Sequence, residues 1–188
     1  MEALITSTAL VALAEIGDKT QLLAIVLAAR LKRPMPIIAG IFVATIANHF
    51  LAALVGAQAA SWLEGAWFGY LIAASFIAMA IWTLIPDTLD AVDDKPARFG
   101  AFFATLIAFF WVEMGDKTQI ATIALGARFH AVLPVTAGTT LGMMIANVPA
   151  VFLGHELIKR VPLRVVRIVA ALSFLVIGLW LLARAAGG

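Results

Sequence analysis

The chain has no cysteine. That excludes disulfides, thiolate-held metal ions, cysteine-ligated iron–sulfur clusters and thiol redox relays together. Charge is scarce as well: Asp, Glu, Lys and Arg make up 13% of 188 residues against 63% hydrophobic, and mean hydropathy is +1.04. This composition excludes an ordinary soluble domain and points to a membrane protein. Thirteen Lys plus Arg against eleven Asp plus Glu leave only +2. The basic residues sit between apolar runs, so a pI near 9.3 is no footprint for nucleic acid. The opening Met1-Glu2-Ala3-Leu4 lacks a basic leader segment, and the apolar run that follows outlasts a signal sequence, so it reads as a retained span. Also missing are His-Glu-x-x-His, Gly-x-Ser-x-Gly and any phosphate-binding glycine loop, which argues against an intramembrane enzyme.

What is present is six apolar stretches, about Ala3 to Ala29, Pro36 to Gly56, Ala66 to Pro86, Ala101 to Ala127, Val132 to Gly154 and Arg164 to Ala183. Each is near the roughly 20 residues a helix needs to cross hydrocarbon. A β-barrel would show segments of about 10 residues alternating apolar and polar instead. The expected fold is an all-α membrane protein with six transmembrane helices. Pro34, Pro36, Pro86, Pro96, Pro134 and Pro162 fall at or near the span ends, where a missing N–H costs little. Nine basic residues mark one side: Arg30, Lys32, Arg33, Lys95, Arg98, Lys159, Arg160, Arg164 and Arg167. Arg128 and Arg184 alone mark the other, so the first side is expected to be cytoplasmic and both termini external.

The chain repeats itself at a constant offset of 98 residues. Glu15, Gly17, Asp18, Lys19, Thr20 and Gln21 recur as Glu113, Gly115, Asp116, Lys117, Thr118 and Gln119, and the offset also carries Gly40 to Gly138, Gly56 to Gly154 and Trp82 to Trp180. Asn48 and Asn147 match one residue out of step. The reading is a first three-helix repeat over 1–86, an acidic cytoplasmic connector over 87–100, and a second repeat over 101–188. Three spans per half is an odd number, so the second half crosses upside down: two inverted three-helix repeats, a plan that puts a transport site near the midplane where the repeats meet. The connector carries Asp87, Asp90, Asp93, Asp94, Lys95 and Arg98. A solvated linker explains it, and cation collection or regulation is the alternative.

The repeated motif falls mid-span. A charged residue there costs roughly 2.5 to 3.5 kcal/mol on the insertion scale. Glu15, Asp18, Lys19, Glu113, Asp116 and Lys117 would together cost on the order of 15 to 20 kcal/mol without pairing, hydration or a bound ion. On an unbroken helix Glu15, Asp18 and Lys19 share a face, and so do their copies. Gly17 and Gly115 weaken the helix within each motif and could open a local break that offers carbonyls. If the two faces meet, four carboxylates and two ammonium groups converge with a formal charge of −2, suited to one divalent cation. The candidate ligands are all oxygen: carboxylates of Glu15, Asp18, Glu113 and Asp116, and amide oxygens of Gln21 and Gln119, supported by Asn48, Asn147, Thr20, Thr118 and the two lysines. Hard oxygen sites suit Mg²⁺, Ca²⁺ and Mn²⁺. The competing reading makes Glu15 with Lys19, and Glu113 with Lys117, local i,i+4 ion pairs that only hold helices together. His49 reads as a packing residue or a proton carrier, and Gly138 with Gly142 as a close helix contact.

Glu15-Ile-Gly-Asp-Lys-Thr-Gln21 and Glu113-Met-Gly-Asp-Lys-Thr-Gln119 resemble the paired signature motifs of the small cation exchangers that include bacterial MneA-type manganese exporters and the Golgi manganese and calcium transporters. The resemblance covers essentially the whole chain. It implies export of Mn²⁺, or Ca²⁺ in some members, against protons, with the motif acids falling on Glu15, Asp18, Glu113 and Asp116. No cofactor is implied, because the metal is cargo; the partners are a divalent cation, protons and the bilayer. Without a long N-terminal extension the chain is similar to the bacterial members, which implies a bacterial inner membrane. A passive divalent-cation channel and an exporter of small solutes such as amino acids remain the rival readings. Topology reporters fused after Arg33, within Asp90 to Lys95 and after Arg160 are expected to read cytoplasmic, and those at Glu64, Arg128 and the C-terminus external. A cytoplasmic C-terminus would overturn the inverted repeat.

Overall fold

The computed structural model describes residues 1–63, 66–86, 100–154 and 162–187. Glu64, Lys159, Arg160 and the connector from Asp87 through Arg98, with its acidic and basic side chains, lie outside the described residues. Those described fold into eight helices and no strand: α1 (Glu2–Glu15), α2 (Lys19–Leu31), α3 (Pro34–Trp62), α4 (Ala66–Thr83), α5 (Gly100–Glu113), α6 (Lys117–Phe129), α7 (Val132–Leu153) and α8 (Leu163–Gly187). Helices are the answer expected of so apolar a chain, because a helix satisfies its own backbone where no water can. Three of them, α3, α7 and α8, are long and apolar enough to cross a membrane. Trp67–Thr83 and Gly100–Glu113 are shorter apolar helices.

The first and fourth apolar stretches were expected as single helices, and each is two. At Gly17 the backbone turns to φ +83°, and at Gly115 to φ +79°, a region that a right-handed helix of L-residues cannot include. Asp18 and Asp116 then stand in extended conformation, ψ 168° and 165°, as the N-caps of α2 and α6. The turn is closed the same way twice. The Asp18 N–H donates to the Glu15 carbonyl and the Asp116 N–H to the Glu113 carbonyl, both at 3.1 Å. The Gly17 N–H donates to Gln21 Oε1 at 2.9 Å and the Gly115 N–H to Gln119 Oε1 at 2.7 Å. Each glutamine thus supplies an acceptor for a backbone donor that the break would otherwise leave without one. The shared face expected for Glu15, Asp18 and Lys19 is lost with the helix. The acid at position 15 closes one helix, and the acid at 18 opens the next.

The long helices pack across the halves. Helix α3 lies against α5 and α6, α7 against α1 and α2, and α4 against α8. Small residues bring the backbones together. A Cβ on Gly40 would stand 2.7 Å from the Phe102 carbonyl oxygen, and one on Gly138 would stand 2.5 Å from that of Leu4. The two contacts are copies of each other at the repeat offset. A Cβ on Gly142 would likewise stand 2.7 Å from the Thr8 carbonyl oxygen, so the Gly138–Gly142 spacing is a close helix contact against α1. At one end of the molecule Arg128 and Arg184 both stack on Trp180, 5.1 and 4.5 Å from the ring centroid, which brings the ends of α6 and α8 together.

A Cβ at Gly115 meets nothing within 4 Å, so Gly115→Ala isolates the conformational cost of the break. It is expected to destabilise the purified protein by about 1 to 2 kcal/mol, read from denaturant or thermal unfolding in detergent. Gly17→Ala is expected to cost more, because its Cβ would also press on Leu163 Cδ2 at 2.8 Å.

Candidate metal centre

The two breaks face each other in the interior. Glu15, Asp18, Glu113 and Asp116 are each at most 3% exposed. Neither aspartate uses its side chain to cap its own helix; each turns to a lysine of the other motif. Lys19 Nζ lies 3.0 Å from Asp116 Oδ1, and Lys117 Nζ lies 3.8 Å from Asp18 Oδ1. Lys117 also donates to the Ile85 carbonyl at 3.1 Å. The local i,i+4 pairs of the competing reading are therefore replaced by crossed pairs between motifs.

Glu15 is tied to both motifs. One carboxylate oxygen accepts the hydroxyl of Thr20, and the other accepts the hydroxyl of Thr118. The two threonines act here as donors to Glu15. Glu113 Oε1 lies 3.4 Å from His49 Nε2. Its Oε2 and the Oδ2 of Asp116 are buried with no hydrogen-bond partner among the described residues. One oxygen each from Glu15, Glu113 and Asp116 can be chosen so that all lie within 4.8 Å of one another. A cation placed among three such atoms stands no more than about 2.8 Å from each, close to the 2.0 to 2.6 Å that hard cations take with oxygen after a small contraction. Fully ionised, these three carboxylates with Lys19 carry −2.

Of the four acids expected to converge, the structure thus groups Glu15, Glu113 and Asp116, while Asp18 stands outside that trio beside Lys117. The amide oxygens of Gln21 and Gln119 are engaged by the break glycines. Their NH₂ groups reach across the halves, Gln21 to the Ala146 carbonyl at 2.9 Å and Gln119 to Asn48 Oδ1. Asn48 also donates to the Phe110 carbonyl at 3.2 Å. Asn147 donates to the Met143 carbonyl at 3.1 Å, and its Oδ1 has no partner among the described residues. Motif spacing within one helix favours the nearest acid, so the sequence alone carries no sign of the crossing of the lysines.

An oxygen-only, anionic centre between two breaks has the chemistry to hold and release a divalent cation. Comparison with known proteins agrees. The chain matches the family described as "Divalent cation/proton antiporter GDT1" over residues 3–91 and 101–188. It belongs to that family of membrane transporters and is not an enzyme. It is 50% identical over 180 residues to a Vibrio cholerae protein named "Putative manganese exporter", covering 95% of this chain and 90% of that one. It is 29% identical to the GDT1-like protein sll0615 of Synechocystis, over 88% of this chain and 89% of the relative. Identity to GDT1-like protein 5 of Arabidopsis thaliana is 26%, over 92% of each chain. No solved structure matches the chain.

Crossed pairing predicts a distinct energetic signature. In a double-mutant cycle, Lys19→Met with Asp116→Asn is expected to show a coupling of about 1 kcal/mol or more, and Lys19→Met with Glu15→Gln a markedly smaller one. Unfolding of each purified variant measures both.

Proposed function

We propose that the protein exports Mn²⁺ across a bacterial inner membrane in exchange for protons, with Glu15, Glu113 and Asp116 holding the cation. The observation that carries this reading is the buried carboxylate trio drawn from both copies of the motif. Two inverted repeats, 1–86 and 101–188, joined by the connector 87–100, cross six times and leave both termini external. The cation sits where the two breaks meet. Close carboxylates in an apolar interior cannot all remain ionised without a cation, so protons occupy some of them when the metal has left. An arriving dication displaces those protons, and their return drives the next cycle.

The internal symmetry gives the site two faces. Exchanging the halves maps the trio of Glu15, Glu113 and Asp116 onto Glu113, Glu15 and Asp18. In this scheme the two glutamates serve both access states, while the aspartates alternate at the metal, each with the lysine of the opposite motif beside it. Gln21 and Gln119 shape the breaks, and Asn48, Asn147, Thr20 and Thr118 orient the surrounding groups. Ca²⁺ is the nearest competing cargo, because the donor set is all oxygen.

Reconstituted vesicles test the proposal. Mn²⁺ uptake into acid-loaded vesicles is expected to alkalinise the lumen and to accumulate Mn²⁺ against its gradient. Glu15→Gln and Glu113→Gln should each abolish this. A cation flux that never exceeds equilibrium would instead identify a channel. Recovery of full transport in the Glu15→Gln, Lys19→Met double variant would defeat the cation-site reading.

A further inference from the structure

Helices α4 and α8 lie along each other, and their contact is tight at one end and open at the other. A Cβ on Gly178 would stand 2.8 Å from Ile77 Cγ1, and one on Gly69 would stand 3.2 Å from Ala185 Cβ. Towards the end of α4 and the start of α8 this packing gives way to a groove of about 300 Å³. Ala80, Ile81 and Leu84 line it from one side, and Ile168, Ala171, Leu172 and Leu175 from the other. Ala80 and Ala171 are buried, whereas Ile81, Leu84, Ile168 and Leu172 are large and exposed. Small side chains thus form the floor and large ones the rims, so the groove opens on the outer surface of the helix pair.

The groove runs into a second cavity of about 400 Å³, which shares Leu84 and Ile168 with it and is completed by Pro86, Arg164 and Arg167. On α8 the lining residues recur at intervals of three and four and mark one face. From Arg164 to Leu175 that face extends about 16 Å, with all of its charge at one end. Neither arginine is accounted for by its own helix. Arg164 stands in the first turn of α8, where a basic side chain opposes the helix dipole. No carboxylate among the described residues pairs with either guanidinium. Arg167 gives its Nε to the Leu163 carbonyl at 3.4 Å, which leaves its two terminal nitrogens for another acceptor. Orientation in a membrane asks for basic residues on one side, but not that two of them share a cavity with an apolar groove. The repeat offset puts Ala66 and Gly69 on α4 in place of Arg164 and Arg167, so the feature is peculiar to one half.

We propose that this composite cavity binds an anionic phospholipid of the bilayer, with its phosphate at Arg164 and Arg167 and one acyl chain along the groove between α4 and α8. The pattern of charge and hydrocarbon selects this occupant. Guanidinium groups hold phosphate oxygens by paired, charge-assisted hydrogen bonds. A soluble anion has nothing to lay in the groove, and a zwitterionic lipid brings its own cation towards the arginines. Basic pockets between membrane helices suit anionic headgroups for the same reason. The site uses none of the motif residues, so its test does not depend on the proposed exchange of metal for protons.

The purified protein in detergent, incubated with phosphatidylglycerol or phosphatidylcholine and examined by native mass spectrometry for bound lipid, provides that test. The wild-type chain is expected to hold phosphatidylglycerol at least tenfold more tightly than phosphatidylcholine. Arg164→Gln alone, at an exposed position, is expected to weaken phosphatidylglycerol binding about fivefold, and Arg164→Gln with Arg167→Gln to abolish the preference. Arg33→Gln removes an exposed charge outside the cavity and is expected to leave the preference intact. Glycerol phosphate, which carries the anion without an acyl chain, is expected not to displace the lipid at equal concentration. Equal retention of both lipids by the wild type, an undiminished preference in the double variant, or an equal loss in Arg33→Gln overturns the site. Displacement by glycerol phosphate overturns the lipid as its ligand.

Discussion

Lys19 reaches Asp116 and Lys117 reaches Asp18, each across the meeting of two separate motifs, and the rest of the architecture answers to that exchange. An ammonium or carboxylate left alone in so apolar an interior is penalised by several kcal/mol, more than any single packing contact returns. The pairing therefore has to be completed between halves, and the helices that carry the motifs must be held at fixed depth. The glycine contacts of Gly40 against α5 and Gly138 against α1 do this by letting backbones touch. The glutamines do the remaining work at the breaks, each with its carbonyl oxygen on a glycine N–H and its NH₂ group on the opposite half. One side chain thus shapes its own turn and clamps the partner motif.

The same arrangement is only nearly symmetric. Glu15 accepts two threonine hydroxyls, while Glu113 faces His49 and keeps an oxygen without a partner among the described residues. Asp116 joins the carboxylate trio and Asp18 stands aside. The repeat offset pairs His49 on α3 with Asn147 on α7, so the two halves supply different side chains at this level. A site with equal halves would have no reason to prefer one access state; this one holds an unequal pair of surroundings for two equivalent acids.

Much of this was legible before any coordinates. Apolar run length was enough to read a helical membrane protein, and the doubled motif singled out Glu15, Asp18, Glu113 and Asp116 as candidates, because charge placed amid hydrocarbon has few explanations. The glycines at 17 and 115 carried the hint of a break. What could not be read was its consequence: once the helix ends at Glu15, spacing within the motif no longer says which side chains share a face. The crossed ion pairs and the displacement of Asp18 follow from that one turn of backbone.

The crossed pairing also bears on how the chain is made. Lys19 emerges from the ribosome about a hundred residues before Asp116, so at 5 to 20 residues per second the first broken helix waits roughly 5 to 20 s for its counter-ion. During that interval the segment carrying Glu15, Asp18 and Lys19 has only its own short-range pairing to offset the cost of entering lipid. The turn at Gly17 is useful then as well, because a break lets water and headgroups follow the charges inward until the second motif arrives. The turn that eases entry of the first motif is thus the same turn that the finished centre requires.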